Sequence, residues 1–141
     1  MSPVAIARVA ALASAAIAIS GCCQTGVNLT AAGSVSVESP PDERARVVWA
    51  EVWQDGDETV VTGRLVRRGV SSCPLTGHVD VTFFDAGGKL LKKASSLEAG
   101  LRRTSPGKGP HLSPFRLRLK LIVPENARAV IAYRGGAHED E

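Results

Sequence analysis

Aromatic residues are scarce in this sequence: two Trp, one Tyr and three Phe among 141 residues, so few rings are available to anchor a core. Trp49, Trp53, Phe83, Phe84, Phe115 and Tyr133 all fall in alternating or β-branched segments and are expected in that core. Cysteine is equally sparse. Cys22, Cys23 and Cys73 form no Cys-x-x-Cys, which leaves neither zinc-ribbon nor dithiol redox chemistry a basis. No apolar run reaches the roughly 20 residues of a spanning helix; the longest, over residues 9–19, stops well short. Phosphate-loop chemistry is also missing, because Gly107 and Gly109 are bracketed by Pro106 and Pro110 and no helical pattern follows. No Gly-x-Ser-x-Gly surrounds any serine. After residue 21 no helical period is visible, and the pattern that remains has a period of two.

That pattern sets out strands in order. Residues 47–53 are β-branched and aromatic, and Asp55-Gly56-Asp57 is a turn cluster, which predicts a hairpin whose second arm covers 58–68. Residues 69–77 have loop composition. In 78–85, Val79, Val81 and Phe83 point one way and His78, Asp80 and Thr82 the other, and Asp85-Ala86-Gly87-Gly88 turns the chain into a returning arm over 89–94. Leu97, Ala99 and Leu101 suggest a further short strand before the loop 106–110. Phe115, Leu117, Leu119 and Leu121 then alternate with Arg116, Arg118 and Lys120, predicting one buried and one basic face. A turn at 124–126 leads to a last strand over 127–134, with Ile131 and Tyr133 inward. Six or seven short strands of this kind predict an all-β, antiparallel sandwich of about 100 residues, with an open barrel as the rival.

The start of the chain reads differently. Met1 to Arg8 carries positive charge, residues 9–19 have the length of a signal-peptide apolar region, and Ile19-Ser20-Gly21-Cys22 closes it. This stretch resembles the lipobox of bacterial lipoproteins. The resemblance implies a helical signal peptide over 1–21, cleavage before Cys22, and a diacylglycerol on the Cys22 thiol. It also implies a place in the cell envelope. Cys23 at the second mature position is not the Asp that retains many lipoproteins at the inner membrane. By that sorting rule the protein is expected on the outer membrane facing the periplasm, the inner membrane being the alternative. Residues 22–44 are expected as a lipidated N-terminus and tether. Read as flexible coil, 24–41 would reach roughly 20 to 25 Å from the bilayer. Within it, Val35-Ser36-Val37-Glu38 alternates and is open to reading as a short first strand. The sandwich is expected over 45–135 and an acidic tail over 136–141. Cys23 and Cys73 can pair in an oxidising envelope or stay single, and no spacing decides between these.

Val79-Asp80-Val81-Thr82-Phe83-Phe84-Asp85-Ala86-Gly87-Gly88-Lys89-Leu90-Leu91 resembles the hairpin of immunoglobulin-like domains on bacterial envelope proteins, including the FxLYD type. Phe115-x-Leu117-x-Leu119 is similar to a later strand of those domains. The resemblance implies an immunoglobulin-like sandwich acting as an adhesive or accessory module, and it carries no functional residue with it.

Chemistry has few footholds. His78 and Asp80 share a strand face two residues apart, which suits a metal pair or a base with its orienting carboxylate; both need more residues, and a solvated polar face is the competing reading. Ser71, Ser72, His111 and the tail residues His138 to Glu141 lack any setting for catalysis or tight metal binding. No cofactor is implied, and the protein is expected not to be an enzyme, a periplasmic hydrolase being the remote alternative. Charge is the better lead. Between Arg64 and Lys120 lie twelve basic and three acidic side chains, whereas residues 22–63 carry two basic and seven acidic. Arg116, Arg118 and Lys120, joined by Arg64 and by Arg68 or Arg67 if that strand is the neighbour, are expected to form a face for an anionic partner such as lipid phosphate, acidic glycan or acidic protein. The competing readings are an ordinary outer face that discourages edge pairing, and an assembly role through a sheet edge in an envelope complex. Nucleic acid is not expected, because the compartment is wrong and no exposed aromatic is foreseen among the cations.

Overall fold

The computed structural model describes residues 26–68, 75–96, 99–101 and 112–135, and every regular element among them is a strand. In chain order these are β1 (Val27–Asn28), β2 (Val35–Glu38), β3 (Ala45–Asp55), β4 (Glu58–Arg67), β5 (Leu75–Phe84), β6 (Leu90–Ser95), β7 (Ala99–Leu101), β8 (Ser113–Lys120) and β9 (Ala127–Gly135). They form two sheets. The first has the order β1-β3-β4-β8, and the second β2-β9-β5-β6 with β7 also paired to β5.

The inner faces meet in one core. Val52, Val61, Leu65, Phe115, Leu117 and Leu119 from the first sheet pack against Val79, Val81, Phe83, Ala129, Ile131 and Tyr133 from the second. Each buried Val, Leu, Ile or Phe contributes about 1.5 to 3 kcal/mol, so this two-layer contact is what makes the sandwich. The alternation read along β5, β8 and β9 holds: β8 is buried at Ser113, Phe115, Leu117 and Leu119 and exposed at the positions between. Gly63 makes one close crossing workable. A Cβ there would lie 2.4 Å from Phe115 Cζ and 2.6 Å from the Trp49 carbonyl oxygen, so the ring occupies the volume that any other residue would need.

Two features depart from the sequence reading. Residues 22–44, read as a tether, supply β1 and β2, which brings the count to nine strands. The alternating stretch 35–38 is a strand, and it pairs parallel with β9, Val35 opposite Ala127, so the second sheet is mixed. The turn between β1 and β2 is held by local bonds: Ser34 N–H donates to the Leu29 carbonyl at 3.0 Å and Ala31 N–H to Asn28 Oδ1 at 2.9 Å. The Val52 N–H donates to Thr30 Oγ1 at 2.9 Å, and the Leu29 N–H to the Val52 carbonyl at 2.9 Å, which moor this turn on β3.

The second departure is in β3. Val47 lies opposite Leu65 but Trp49 lies opposite Arg64, so Val48 is an extra residue, a β-bulge. A one-residue shift exchanges the faces of everything after it. Ala45 and Val47 point inward before the bulge, and Ala50 and Val52 after it, while Trp49 and Trp53 turn outward. Trp49 is 43% exposed, and the expectation that both tryptophans belong to the core is corrected.

At one end of the sandwich a side-chain network locks the two sheets. Gln54 Nε2 donates to the Leu121 carbonyl at 3.0 Å and to the Glu58 carbonyl at 2.9 Å, while its Oε1 accepts from the Val123 N–H at 3.0 Å. Thr59, fully buried, donates its hydroxyl to the same Leu121 carbonyl at 2.6 Å. These bonds tie the β3–β4 hairpin to the 121–126 connection that leads into β9.

Candidate binding face

Register fixes the outer face of the first sheet, because residues directly opposite in an antiparallel pair project to the same side. Across β3, β4 and β8 the rows read Trp49, Arg64, Pro114; then Glu51, Thr62, Arg116; then Trp53, Val60, Arg118; then Asp55, Glu58, Lys120. Arg46, opposite Val66, extends the face one row further. Neighbouring strands stand about 4.8 Å apart, so each row is a compact group. Val60 faces outward yet is fully buried. The two long side chains that flank it in its row, Trp53 and Arg118, account for that cover.

The five cations expected to act together do not share one environment. Arg64, Arg116, Arg118 and Lys120 lie on this face as expected, and Arg68 follows the end of β4. Arg118 is committed. Its Nη1 donates to Glu58 Oε2 and lies 3.5 Å from Asp55 Oδ2, and the Glu58 hydrogen bond first, then its charge, raises the already high guanidinium pKa. Lys120 stands opposite Glu58, so the row that closes the β3–β4 hairpin holds two acids and one cation, with Arg118 reaching into it. At the other end of the face the balance reverses. Arg46, Arg64 and Arg116 are exposed, and no ion pair joins them to an acid among the described residues. Arg64 lies directly opposite the exposed Trp49, and the two cation–π contacts among the described residues are elsewhere, Arg44 over Tyr133 and Arg128 over Phe84. The premise that no exposed aromatic stands among the cations therefore fails at Trp49. Trp53 is held by its Nε1–H, which donates to Glu51 Oε2 at 3.3 Å.

Arg68 and Arg46 also line a groove of about 250 Å³ whose other wall is Ser39, Pro40, Pro41 and Asp42. Asp42 is not open to a ligand. It accepts from Arg44 Nη2 at 3.2 Å and from the Arg44 N–H at 2.8 Å, and the Arg44 side-chain bond is the main cause holding its carboxyl below the ordinary aspartate range.

On the outer face of the second sheet, Asp80 is buried at the centre of a polar cluster. His78 Nε2 lies 3.2 Å from Asp80 Oδ1, the Ser95 hydroxyl donates to that same oxygen, and Lys93 Nζ and Arg134 Nε approach Oδ2 at 3.8 and 3.6 Å. The carboxylate thus serves several donors at once, and the serine bonds to the acid rather than to the imidazole, which is not a nucleophile–base relay. Among the described residues no group of three or more His, Cys, Asp or Glu side chains could hold a metal ion. Tyr133 donates its hydroxyl to the Thr76 carbonyl at 3.1 Å, and burial pushes its phenol pKa up.

Cys22, Cys23, Ser71, Ser72, Cys73, His111 and the 136–141 tail lie outside the described residues, as do residues 1–21. Among the described residues no helix is long and apolar enough to cross a membrane. No family model matches the chain, and no curated protein or solved structure matches it either. The site must therefore be read from its own residues. Arg46, Glu51 and the outward tryptophans are members of the face that the strand pattern alone did not reveal. Their signal was parity: Glu51 and Asp55 alternate in step with Trp49 and Trp53, so a core placement of the rings would have carried two carboxylates inside.

Proposed function

We propose that the protein is a bacterial envelope lipoprotein, lipidated at Cys22 and held on the outer membrane facing the periplasm. Its immunoglobulin-like sandwich is a non-enzymatic binding module for an anionic partner. The observation that carries the partner assignment is the pair Arg64 and Arg116, exposed and without acidic partners among the described residues, beside the exposed ring of Trp49. Unneutralised guanidiniums recognise carboxylate or phosphate in a bidentate manner, and a flanking indole adds apolar area to that recognition. The anchor rests on the resemblance of Ile19-Ser20-Gly21-Cys22 to a lipobox.

Elution from an immobilised carboxylated polysaccharide over a salt gradient tests the binding reading. Arg64→Ala and Arg116→Ala should each release the protein at lower salt, whereas Arg118→Ala should shift elution less, its charge already being met by Glu58 and Asp55. Equal shifts for all three would remove the distinction. Retention that ignores salt would move the assignment to pairing through a sheet edge.

A further inference from the structure

Three connections converge at one end of the sandwich. The β3–β4 hairpin turns at 55–58, β8 ends at Lys120 opposite Glu58, the 121–126 connection crosses to β9, and the β5–β6 turn lies beside it, with Phe84 opposite both Arg128 and Leu90. Lys92 Nζ donates to the Lys120 carbonyl at 2.9 Å, which joins the two sheets here. The first described residues enter at this same end, since Val27 pairs with Gln54. Gly26 fixes that entry: its φ is +126°, and a Cβ would lie 2.4 Å from the Gln54 carbonyl oxygen.

Exposed apolar side chains stand at this end. Val27 is 61% exposed, Leu90 56% and Ile122 70%, and they stand on three different elements of it. Their charged neighbours nearly cancel, with Asp57, Asp85 and Glu125 set against Lys89 and Lys92. The opposite end differs. There, among the described residues, Arg44, Arg46, Arg64, Arg67 and Arg68 outnumber Asp42 and Glu43 along the first sheet.

Covalent geometry now limits the distance to the anchor. Val27 lies five positions after Cys22, so even a fully extended chain between them spans at most about 18 Å. The long tether expected from the sequence is taken up by β1 and β2. We infer that the end carrying Val27, Leu90 and Ile122 rests on a lipid surface, its apolar tips in the headgroup layer, so that Arg64, Arg116 and Trp49, four to six residues further along the strands, are held clear of the bilayer that anchors the protein. Apolar side chains on a nearly neutral end suit a zwitterionic lipid interface, which asks for buried apolar area rather than for cations. It follows that the anionic partner is a component other than the anchoring leaflet's own phosphates.

This inference rests on the lipid anchor proposed above, and the two can fail separately. The full lipidated protein is placed in phosphatidylcholine nanodiscs containing a small fraction of lipid with a gadolinium-chelating headgroup, and its amide NMR signals are compared with those in gadolinium-free discs. Signals of Asn28, Gly56, Gly87 and Asn126 should be lost, and those of Arg68, Thr76 and Arg134 retained. Ile122→Asp together with Val27→Asp should restore the lost signals without detaching the protein. Uniform broadening, or loss at Arg68 and Arg134 first, would overturn the orientation. Concentration-dependent shifts at the near-end residues without broadening would overturn it in favour of a second copy of the chain. The anchor is read independently: if Cys22→Ser leaves association with the discs unchanged, the lipidation reading fails, whatever the orientation.

Discussion

The two ends of the first sheet's outer face are built from the same residue types to opposite effect. Where the β3–β4 hairpin closes, Arg118 is spent on Glu58 and Asp55, and Lys120 stands opposite an acid. Four to six residues along the same strands, Arg64 and Arg116 meet no such partners among the described residues, and an exposed indole stands beside them. A count of cations along β8 treats these positions as equivalent. What separates them is the cross-strand neighbour, and that depends on register.

Register is therefore where the comparison breaks most easily. Deleting Val48 would only close the ladder, leaving Trp49 opposite Arg64, but deleting Ala50 should turn Glu51 and Trp53 toward the core if the bulge is kept, or Trp49 if it closes. Loss of the cooperative unfolding transition is the expected result for the Ala50 deletion. A variant that kept wild-type stability would show that register does not set the face.

The next effect concerns the network beneath the neutral end. Gln54→Ala strands the Val123 N–H and should cost about 1 to 3 kcal/mol in denaturant unfolding, whereas Thr59→Val removes one of the two donors to the Leu121 carbonyl and should cost about 0.5 to 1.5 kcal/mol. Gly63→Ala, which sets a methyl against Phe115, should cost a similar amount, about 1 to 3 kcal/mol, by overpacking. Smaller still should be the stability changes of Arg64→Ala and Arg116→Ala, within about 0.5 kcal/mol, since surface positions of this kind rarely matter to folding. Their effect belongs to the salt needed to elute the protein, and a large stability loss would argue for a structural role instead.

The smallest effect is a pH dependence at the cation-rich end. Because the Asp42 carboxyl lies below its ordinary value in the folded protein, its contribution is present above the unfolded aspartate pKa. That contribution fades as pH falls through the lowered folded value. Asp42→Asn should lower stability slightly at neutral pH and leave it almost unchanged at the acid end, which flattens the acid limb of the stability curve; denaturant unfolding followed by circular dichroism across pH on both proteins measures the difference.

Most of the strand positions were legible because burial writes itself as alternation: Phe115, Leu117 and Leu119 against Arg116, Arg118 and Lys120 is as plain in sequence as in space. The Asp55-Gly56-Asp57 turn and the Asp85 to Gly88 turn were equally readable from residues that tolerate tight backbone. Three things were not. A bulge leaves no composition signature, so the outward tryptophans were visible only through the parity they share with Glu51 and Asp55. β1, two residues long, shows no period, and the alternation of β2 did not reveal its parallel partner; both strands are placed by partners far along the chain, Gln54 and Ala127. The neutralisation of Arg118 depends on residues about sixty positions away, which no local pattern reports.

The parallel pairing of β2 with β9 has a mechanical consequence. Both strands begin at the end where the chain enters, so a tug from that side loads the backbone bonds of β2 along their common axis, all of them together, instead of peeling them one by one. β1, holding by two residue pairs, would yield first and release slack. Pulled from that side, the molecule would give a little while the two packed sheets keep their shape.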